Sequence, residues 1–462
     1  MAFDPGRPQT IWALADCNNF YCSCERLFRP DLRDLPVVVL SNNDGCIVAR
    51  SNEAKALGIK MGEPEFKIRR FLQRHGVAVF SSNYALYGDL SSRVVRAMES
   101  LAPVVEQYSI DEAFLPLSAK ALAANANELC AAIRNRVLRW TGIPVTIGIG
   151  ETKTLAKLAA EQGKKIQRLK NAHGNSEPGH IEVGVYRLAA GTEACDAVLG
   201  QTPVGDIWGI GRRSAERLNK KNIRTAAELR DAVVSDGEFV RKLLSVTGQR
   251  TALELCGLSC IELEEPVRET VIASRSFGRK LTEFDEIMQA LAANIEHGAR
   301  RLRASKLETR GIEVRIRTSP FSGKERYYEN AASLDLPEAT ADTRLLIKAA
   351  RAGLRKIFRP GLHYAKSGIL LFNLREPGKR QMTLWEVDTS EADDSRSAGK
   401  DTNKEKKLMA AVDAVNRKFG ANTLRPALLA NGGRTADVAM RRERLSPVST
   451  TDWQALPKIE CR

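Results

Sequence analysis

Apolar and polar positions change period several times along the chain, and each change marks an element. Ile11-Trp12-Ala13-Leu14-Ala15 is a continuous apolar run that predicts a buried strand, and the segment after it reads as a helix to about Leu27. Val37-Val38-Val39-Leu40 and Cys46-Ile47-Val48-Ala49 predict two short strands. The separator Ser41-Asn42-Asn43-Asp44-Gly45 has turn chemistry and makes them a hairpin. Over residues 51–75, Gly58, Gly62 and Pro64 break the chain into two short helices, and Val77-Ala78-Val79-Phe80 is a further strand. Leu86, Leu90, Val94, Met98 and Leu101 recur at helical spacing, as do Leu122, Ala126, Leu129, Ile133, Val137 and Trp140, so both stripes are expected to face a core. Val145-Thr146-Ile147-Gly148-Ile149 predicts a strand, a helix begins near Lys153, and the low-apolar residues 164–182 read as a loop. Strands alternating with amphipathic helices predict an α/β sheet covered on one face.

Residues 202–268 read as a helical segment. Within Val204-Gly205-Asp206-Ile207-Trp208-Gly209-Ile210-Gly211-Arg212-Arg213, the Gly-Ile-Gly lies between helical stretches in the pattern of a helix-hairpin-helix. Gly209 and Gly211 let the backbone approach a phosphate, and Arg212 and Arg213 add charge without reading sequence. From Val271 the period changes again: Ile312, Val314 and Ile316 alternate with Glu313, Arg315 and Arg317, giving a strand with one apolar and one mostly basic face. Phe284, Ile287, Leu291, Ile295 and Leu302 form a helix stripe, as do Leu346, Ala350, Leu354 and Ile357, which together describe a second small α/β sandwich. Beyond Pro377 come charged, low-apolar stretches such as 390–407, then a predicted helix over about 405–419.

Length and charge sharpen this picture. A chain of 462 residues is too long for one ordinary core, so roughly three or four domains are expected. The net charge is +15, and residues 270–380 hold 22 Lys and Arg against 12 Asp and Glu, a concentrated excess that fits nucleic acid better than a uniformly basic surface does. Nine cysteines are scattered without a disulfide-scaffold pattern, and Cys22-Ser23-Cys24 and Cys256 to Cys260 lack the matching second pair of a zinc site, so reduced thiols are expected. Residues 1–10 lack the basic flank and apolar core of a signal segment, and no run approaches the roughly 18 apolar residues of a membrane span.

The candidate chemistry lies in Ser109-Ile110-Asp111-Glu112-Ala113 together with Asp16. The two adjacent acids interrupt an apolar pattern, and Asp16 ends the strand that starts at Ile11. Three carboxylates with no clustered His or thiolate suit Mg²⁺ rather than zinc. Two such ions would support an in-line displacement at phosphorus. Lys153 and Lys157 lie one helical turn apart beside this candidate site.

Four segments carry a resemblance. Asp16-Cys17-Asn18-Asn19-Phe20-Tyr21, Ser41-Asn42-Asn43-Asp44-Gly45-Cys46, Tyr108-Ser109-Ile110-Asp111-Glu112-Ala113-Phe114 and Thr152-Lys153-Thr154-Leu155-Ala156-Lys157-Leu158-Ala159 resemble, in order and spacing, the signature segments of Y-family translesion DNA polymerases. The wording is most similar to the UmuC type, the catalytic subunit of DNA polymerase V. The resemblance implies a multidomain α/β right-hand polymerase. Its palm would comprise residues 1–50 and 81–201, small fingers 51–80, a helix-hairpin-helix thumb 202–268, an α/β little finger 269–376, and a tail 377–462. It implies template-directed, error-prone synthesis past damaged bases in an SOS-type response, in a bacterial-type cytoplasm.

The resemblance also implies roles for residues. Asp16, Asp111 and Glu112, with the Cys17 carbonyl, would hold two Mg²⁺ ions. Lys157 would bind the triphosphate, and of the two candidates Phe20 and Tyr21 the second would face the sugar. Asn52 and Lys55 stand where many relatives place Tyr and Arg against the triphosphate, and a lysine is a point charge rather than a fork, which implies weaker triphosphate binding. Arg275, in Ser274-Arg275-Ser276-Phe277-Gly278, and the basic strand face would lie on DNA. Gln381, Met382, Leu384 and Trp385, within Arg380-Gln381-Met382-Thr383-Leu384-Trp385, resemble a peptide that docks on the sliding clamp. Arg444-Leu445-Ser446-Pro447 resembles the UmuC-type tail, to which the sequence assigns no role. Implied partners are primer-template DNA, deoxynucleoside triphosphates, a UmuD-type accessory dimer and a recombinase filament. Two other readings stay open here: a catalytically weak adaptor for DNA and clamp, and a palm-type nucleotidyl cyclase.

Overall fold

Strand β1, Ile11–Cys17, is the central strand of a five-stranded sheet. β6, Glu112–Leu117, and β7, Val145–Gly150, pair with it antiparallel on either side; β5, Glu106–Gln107, and β8, Val185–Leu188, complete the order β5-β6-β1-β7-β8. The structure, a computed structural model, describes residues 11–117, 125–172, 184–261, 269–320, 327–377, 395–420, 423–429 and 441–456. The chain divides into two compact units, Met1–Glu264 with Glu443–Arg462, and Glu265–Arg442.

Both faces of the five-stranded sheet are covered, where the sequence predicted one. Ala13, Ala15, Leu115 and Ile147 pack with the helices Phe20–Leu27, Tyr84–Glu99 and Ala126–Thr141. Trp12, Leu14 and Phe114 pack on Ala156 and Ala160 of the helix Lys153–Ala172. Small residues allow that second layer. A Cβ at Gly148 would lie 2.1 Å from the Ala156 carbonyl oxygen, so the helix lies directly on the strand. It also runs on through Lys164, where the low-apolar pattern predicts a loop, because Lys, Gln, Arg and Leu are good helix formers. Of the predicted core stripes, Leu86, Leu90, Val94 and Met98 are buried, but Trp140 is 58% exposed with Arg136 over its ring at 4.8 Å. Cys130, not Trp140, lies on the buried face with Ala126, Ile133 and Val137.

The hairpin strands β2, Val37–Leu40, and β3, Ile47–Arg50, do not join that sheet. With β4, Ala78–Ser81, they form a three-stranded sheet of their own, β2 antiparallel to β3 and parallel to β4. Ile59, Leu72 and Val77 close its small core. Four helices, Glu193–Gln201, Arg212–Asn219, Ala226–Ser235 and Gly237–Leu255, follow. Their core includes Leu155 and Leu158, so they are packed on the helix that bears the lysines.

In the second unit, strands β9 (Val271–Leu281), β10 (Glu308–Thr318), β11 (Glu329–Thr340) and β12 (Tyr364–Arg375) form an antiparallel sheet in the order β11-β10-β12-β9. Helices Phe284–Ala304 and Thr343–Ile357 bury one face through Leu291, Ile295, Leu346 and Leu354, against Ile312, Val314 and Ile316. The opposite face carries Arg315 and Arg317.

Candidate active site

The end of β1 meets the start of β6, and there Asp16 is the cross-strand partner of Glu112. Directly opposed residues of antiparallel strands project to the same side, so two carboxylates stand together. Asp111 just precedes β6 in a turn built by Ser109. The Ser109 hydroxyl accepts the N–H of Asp111 (3.3 Å) and of Glu112 (3.0 Å) and donates to Asp111 Oδ1 at 2.6 Å. The Cys17 N–H donates to the Asp111 carbonyl at 2.9 Å, tying that turn to β1. Adjacent strand residues would otherwise point apart, and the turn is what brings the second acid round.

Two lysines of the helix Lys153–Ala172 face these acids, and a third lies beside them on Glu106. Lys164 Nζ lies 2.5 Å from Asp16 Oδ1, and Lys157 Nζ lies 2.8 and 3.0 Å from the two Glu112 oxygens. Lys153, only 2% exposed, pairs with Glu106 at 2.7 Å and lies over the rings of Trp12 and Phe114. Lys157 also sits 5.1 Å from the Tyr108 ring centroid and 5.7 Å from that of Trp208, whose Nε1 donates to Tyr108 Oη at 3.0 Å. Burial raises the Asp16 pKa to about 6; Lys164 opposes the rise, and Glu112 and Asp111 add to it by repulsion. Burial likewise pushes the Cys17 thiol well up, so the thiol is a core group and only the backbone of Cys17 is left to act as a ligand.

The donor chemistry fits a hard cation, since carboxylate oxygens are hard donors and ammonium groups already supply positive charge to Asp16 and Glu112. Among the described residues no three Asp, Glu, His or Cys side chains are grouped as an ion-holding site, Asp16, Asp111 and Glu112 included.

The nucleotide-side candidates converge in part. Asn52 Oδ1 accepts from Asn19 Nδ2 at 3.1 Å, and Lys55 Nζ donates to Asn19 Oδ1. With Asn18, Arg26 and Lys164 they line a polar cavity of about 170 Å³. Asn19 has φ 47° and starts the helix Phe20–Leu27 without a side-chain cap. Tyr21 is half-buried, stacked on Tyr87 with centroids 4.4 Å apart and planes 15° apart, and edge-on to Tyr84 at 6.1 Å. Burial pushes its hydroxyl up to about 12, helped by Tyr84 and Asp111. Phe20, also a sequence candidate for the nucleotide, is 3% exposed in the core beside the five-stranded sheet, because its side chain leaves the helix on the face turned to that sheet.

Lys164, Glu106, Asn19 and Arg26 escaped the sequence reading. Lys164 follows Lys157 by seven residues, two helical turns, so extending the helix would have found it. Among the DNA-side candidates, Gly209 has φ 87° and a Cβ there would meet Thr251 Oγ1 at 2.9 Å, while Gly211 precedes the helix that starts with Arg212. Arg212 and Arg213 are exposed. In the second unit Arg315 is exposed and paired with Glu313 and Glu329, and Arg317 is half-buried. Arg275 is held below its usual range by burial and by Arg442. Gln381, Met382, Leu384 and Trp385 lie outside the described residues.

Comparison with known proteins agrees with this architecture. Residues 15–161 match the impB/mucB/samB family, 268–384 its C-terminal domain, 192–223 the IMS family HHH motif, and 406–459 a domain of unknown function (DUF4113). Protein UmuC of Salmonella typhimurium is 40% identical over 452 residues, 97% of this chain and 100% of its own length. Protein ImpB of Salmonella typhimurium is 40% identical over 97% of this chain and 99% of its own. DNA polymerase IV 2 of Mesorhizobium japonicum is 27% identical over 88% of this chain and 91% of its own. A solved Y-family DNA polymerase chimera, Dbh-Dpo4(243-245)-Dbh, shares the fold with a TM-score of 0.63 at 21% identity, over 79% of this chain and 99% of that one. Enzymes of this kind are metal-dependent in general. On these grounds the chain belongs to the impB/mucB/samB family of Y-family DNA polymerases, as a member of the UmuC type.

Proposed function

We propose that this chain extends a primer on a DNA template past damaged bases by nucleotidyl transfer, as part of an SOS-type response in the bacterial cytoplasm. The observation that carries the reading is the Asp16 and Glu112 pair across β1 and β6, with Asp111 beside it and lysines on both. Asp16, Asp111 and Glu112, with the Cys17 carbonyl, would hold two Mg²⁺ ions. Such ions, when bound, lower the pKa of the attacking hydroxyl and neutralise charge on the leaving group. Lys157 and Lys164 exchange their carboxylates for phosphate oxygens as the triphosphate enters. Arg26, Asn52 and Lys55 line the polar cavity that receives it, and Tyr21 faces the sugar. Gly209 and Gly211 bring backbone N–H groups to DNA phosphates, and Arg212, Arg213, Arg275, Arg315 and Arg317 neutralise them.

A primer-extension assay run beside a cyclic-nucleotide assay tests this. Templated extension that requires primer and divalent cation is the expected outcome. Cyclic product formed without primer overturns it in favour of a cyclase, and DNA binding with neither product favours an adaptor. The UmuD-type dimer and recombinase filament are proposed as stimulating partners in the same assay.

Gln381, Met382, Leu384 and Trp385 form the proposed clamp peptide, with Leu384 and Trp385 filling an apolar pocket and Gln381 bonding at its rim. Replacing Gln381, Leu384 and Trp385 by alanine is expected to abolish clamp-stimulated synthesis and leave clamp-free extension unchanged. Equal loss in both assays would assign these residues to folding instead.

A further inference from the structure

The segment matched by the domain of unknown function is divided between the units: its helix, Ser395–Phe419, lies in the second, and residues 443–456 belong to the first. Within the first unit a series of bonds ties this C-terminal strap down. The Ser81 N–H donates to the Arg444 carbonyl and the Arg444 N–H to Ser81 Oγ, both at 3.0 Å, and the Arg444 guanidinium lies 3.3 Å from Glu65. Arg93 donates to the Thr450 carbonyl at 3.3 Å.

Ser446, half-buried, is the point of the strap that reaches Glu25 and Asn83. Its Oγ accepts from Asn83 Nδ2 at 3.0 Å and donates to Glu25 Oε1 at 3.1 Å. Asn83 caps the helix Tyr84–Glu99, accepting the Leu86 N–H at 3.3 Å, and its amide also reaches the Ser446 carbonyl at 2.9 Å. Glu25 Oε1 receives a second donor, Tyr87 Oη, at 2.6 Å. Tyr87 is fully buried and is the ring on which Tyr21 stacks. One serine hydroxyl therefore joins the helix that carries Tyr21 to the helix that carries Tyr84 and Tyr87.

A buried carboxylate is costly unless donors satisfy it. Glu25 is 2% exposed and forms no ion pair among the described residues, so two hydroxyls hold it. Burial raises its pKa and both hydroxyls pull it back down. We propose that Ser446 is a positioning residue for sugar selection: through Glu25 and Tyr87 it fixes the Tyr21 ring, which gives residues 443–456 a part in nucleotide discrimination. The inference rests on the reading of Tyr21 as the sugar-facing ring. Removing the Ser446 hydroxyl leaves Glu25 with one donor. The carboxylate then turns to find another, Tyr87 follows its acceptor, and the stack on Tyr21 loosens. A wall that excludes one hydroxyl by close contact loses selectivity once it can shift.

The test is single-nucleotide incorporation on the full chain, with kcat/KM measured for a deoxynucleotide and the matching ribonucleotide. Ser446→Ala and Tyr87→Phe are expected to lower the deoxy-to-ribo ratio roughly tenfold, the scale of one lost hydrogen bond to a charged group. Ser446→Thr, which keeps a hydroxyl, restores the ratio. In a Tyr21→Ala background, Ser446→Ala changes the ratio no further. An unchanged ratio in Ser446→Ala, with both rates falling together, makes the strap merely structural and overturns the inference. A fall in ratio that persists undiminished without the Tyr21 ring overturns it too. If Tyr21→Ala alone leaves the ratio intact, the gate reading has failed, and the inference fails with it through a result that does not involve Ser446.

Discussion

Asp111→Ala and Glu112→Ala each lower the rate of nucleotide incorporation by about 10³-fold or more, the loss expected when several kcal/mol of transition-state charge stabilisation is removed. Binding to primer-template DNA is retained, because the basic groups proposed to hold DNA lie on other elements. The two variants differ in what they leave behind. Glu112→Ala strips Lys157 of its carboxylate, so the ammonium remains beside Tyr108 and Trp208. Asp111→Ala leaves that ion pair intact and removes the acceptor of the Ser109 hydroxyl and a negative charge that repels Asp16. A common loss from both therefore points to the carboxylates themselves and not to a displaced lysine. Single-turnover incorporation measured alongside DNA-binding anisotropy checks this, and near-normal incorporation by either variant rules the assignment out.

The local elements were legible because their signals are local. The apolar run at Ile11, the turn residues of 41–45 and the helical stripe from Leu86 to Met98 each name their element within a few residues. The acids were legible because Asp111 and Glu112 break an apolar pattern. Sheet membership was not legible, since the parallel pairing of β2 with β4 joins segments about 40 residues apart, and nothing in either strand encodes the partner. The second covered face depended on Gly148 and Ala156, small residues whose meaning is a close approach visible only in three dimensions. Trp140 was misread because aromatic residues at helical spacing suggest a core, whereas here Arg136 covers the ring in solvent. Lys164 carries no signal of its own, because a polar stretch reads as loop. A long basic helix on an acidic site has the same composition as a solvated linker. The bond from Ser446 to Glu25 spans 421 residues and had no sequence signal at all.

Tyr21→Ala is expected to admit ribonucleotides, lowering the deoxy-to-ribo ratio by about a hundredfold, the discrimination a packed apolar wall gives against one added hydroxyl. Tyr21 lies five residues beyond Asp16, as the second residue of the helix that starts beside the proposed triphosphate cavity. Its ring is held on one side by the stack on Tyr87 and edge-on by Tyr84, so it cannot swing freely away from an incoming sugar. A ring packed there tolerates hydrogen at C2′ and collides with a hydroxyl, so rejection is steric and costs the correct substrate no bond. Truncation to alanine also removes the partner of Tyr87, which loosens the pocket and slows deoxynucleotide extension without stopping it. Tyr21→Phe separates ring from hydroxyl: if sterics decide, it keeps the parent's selectivity. Phe20 offers no substitute wall, since its ring is buried at 3% exposure in the core. Each nucleotide supplied alone in a running-start extension assay reads the outcome, and a Tyr21→Ala enzyme as selective as its parent removes Tyr21 from the role of sugar gate.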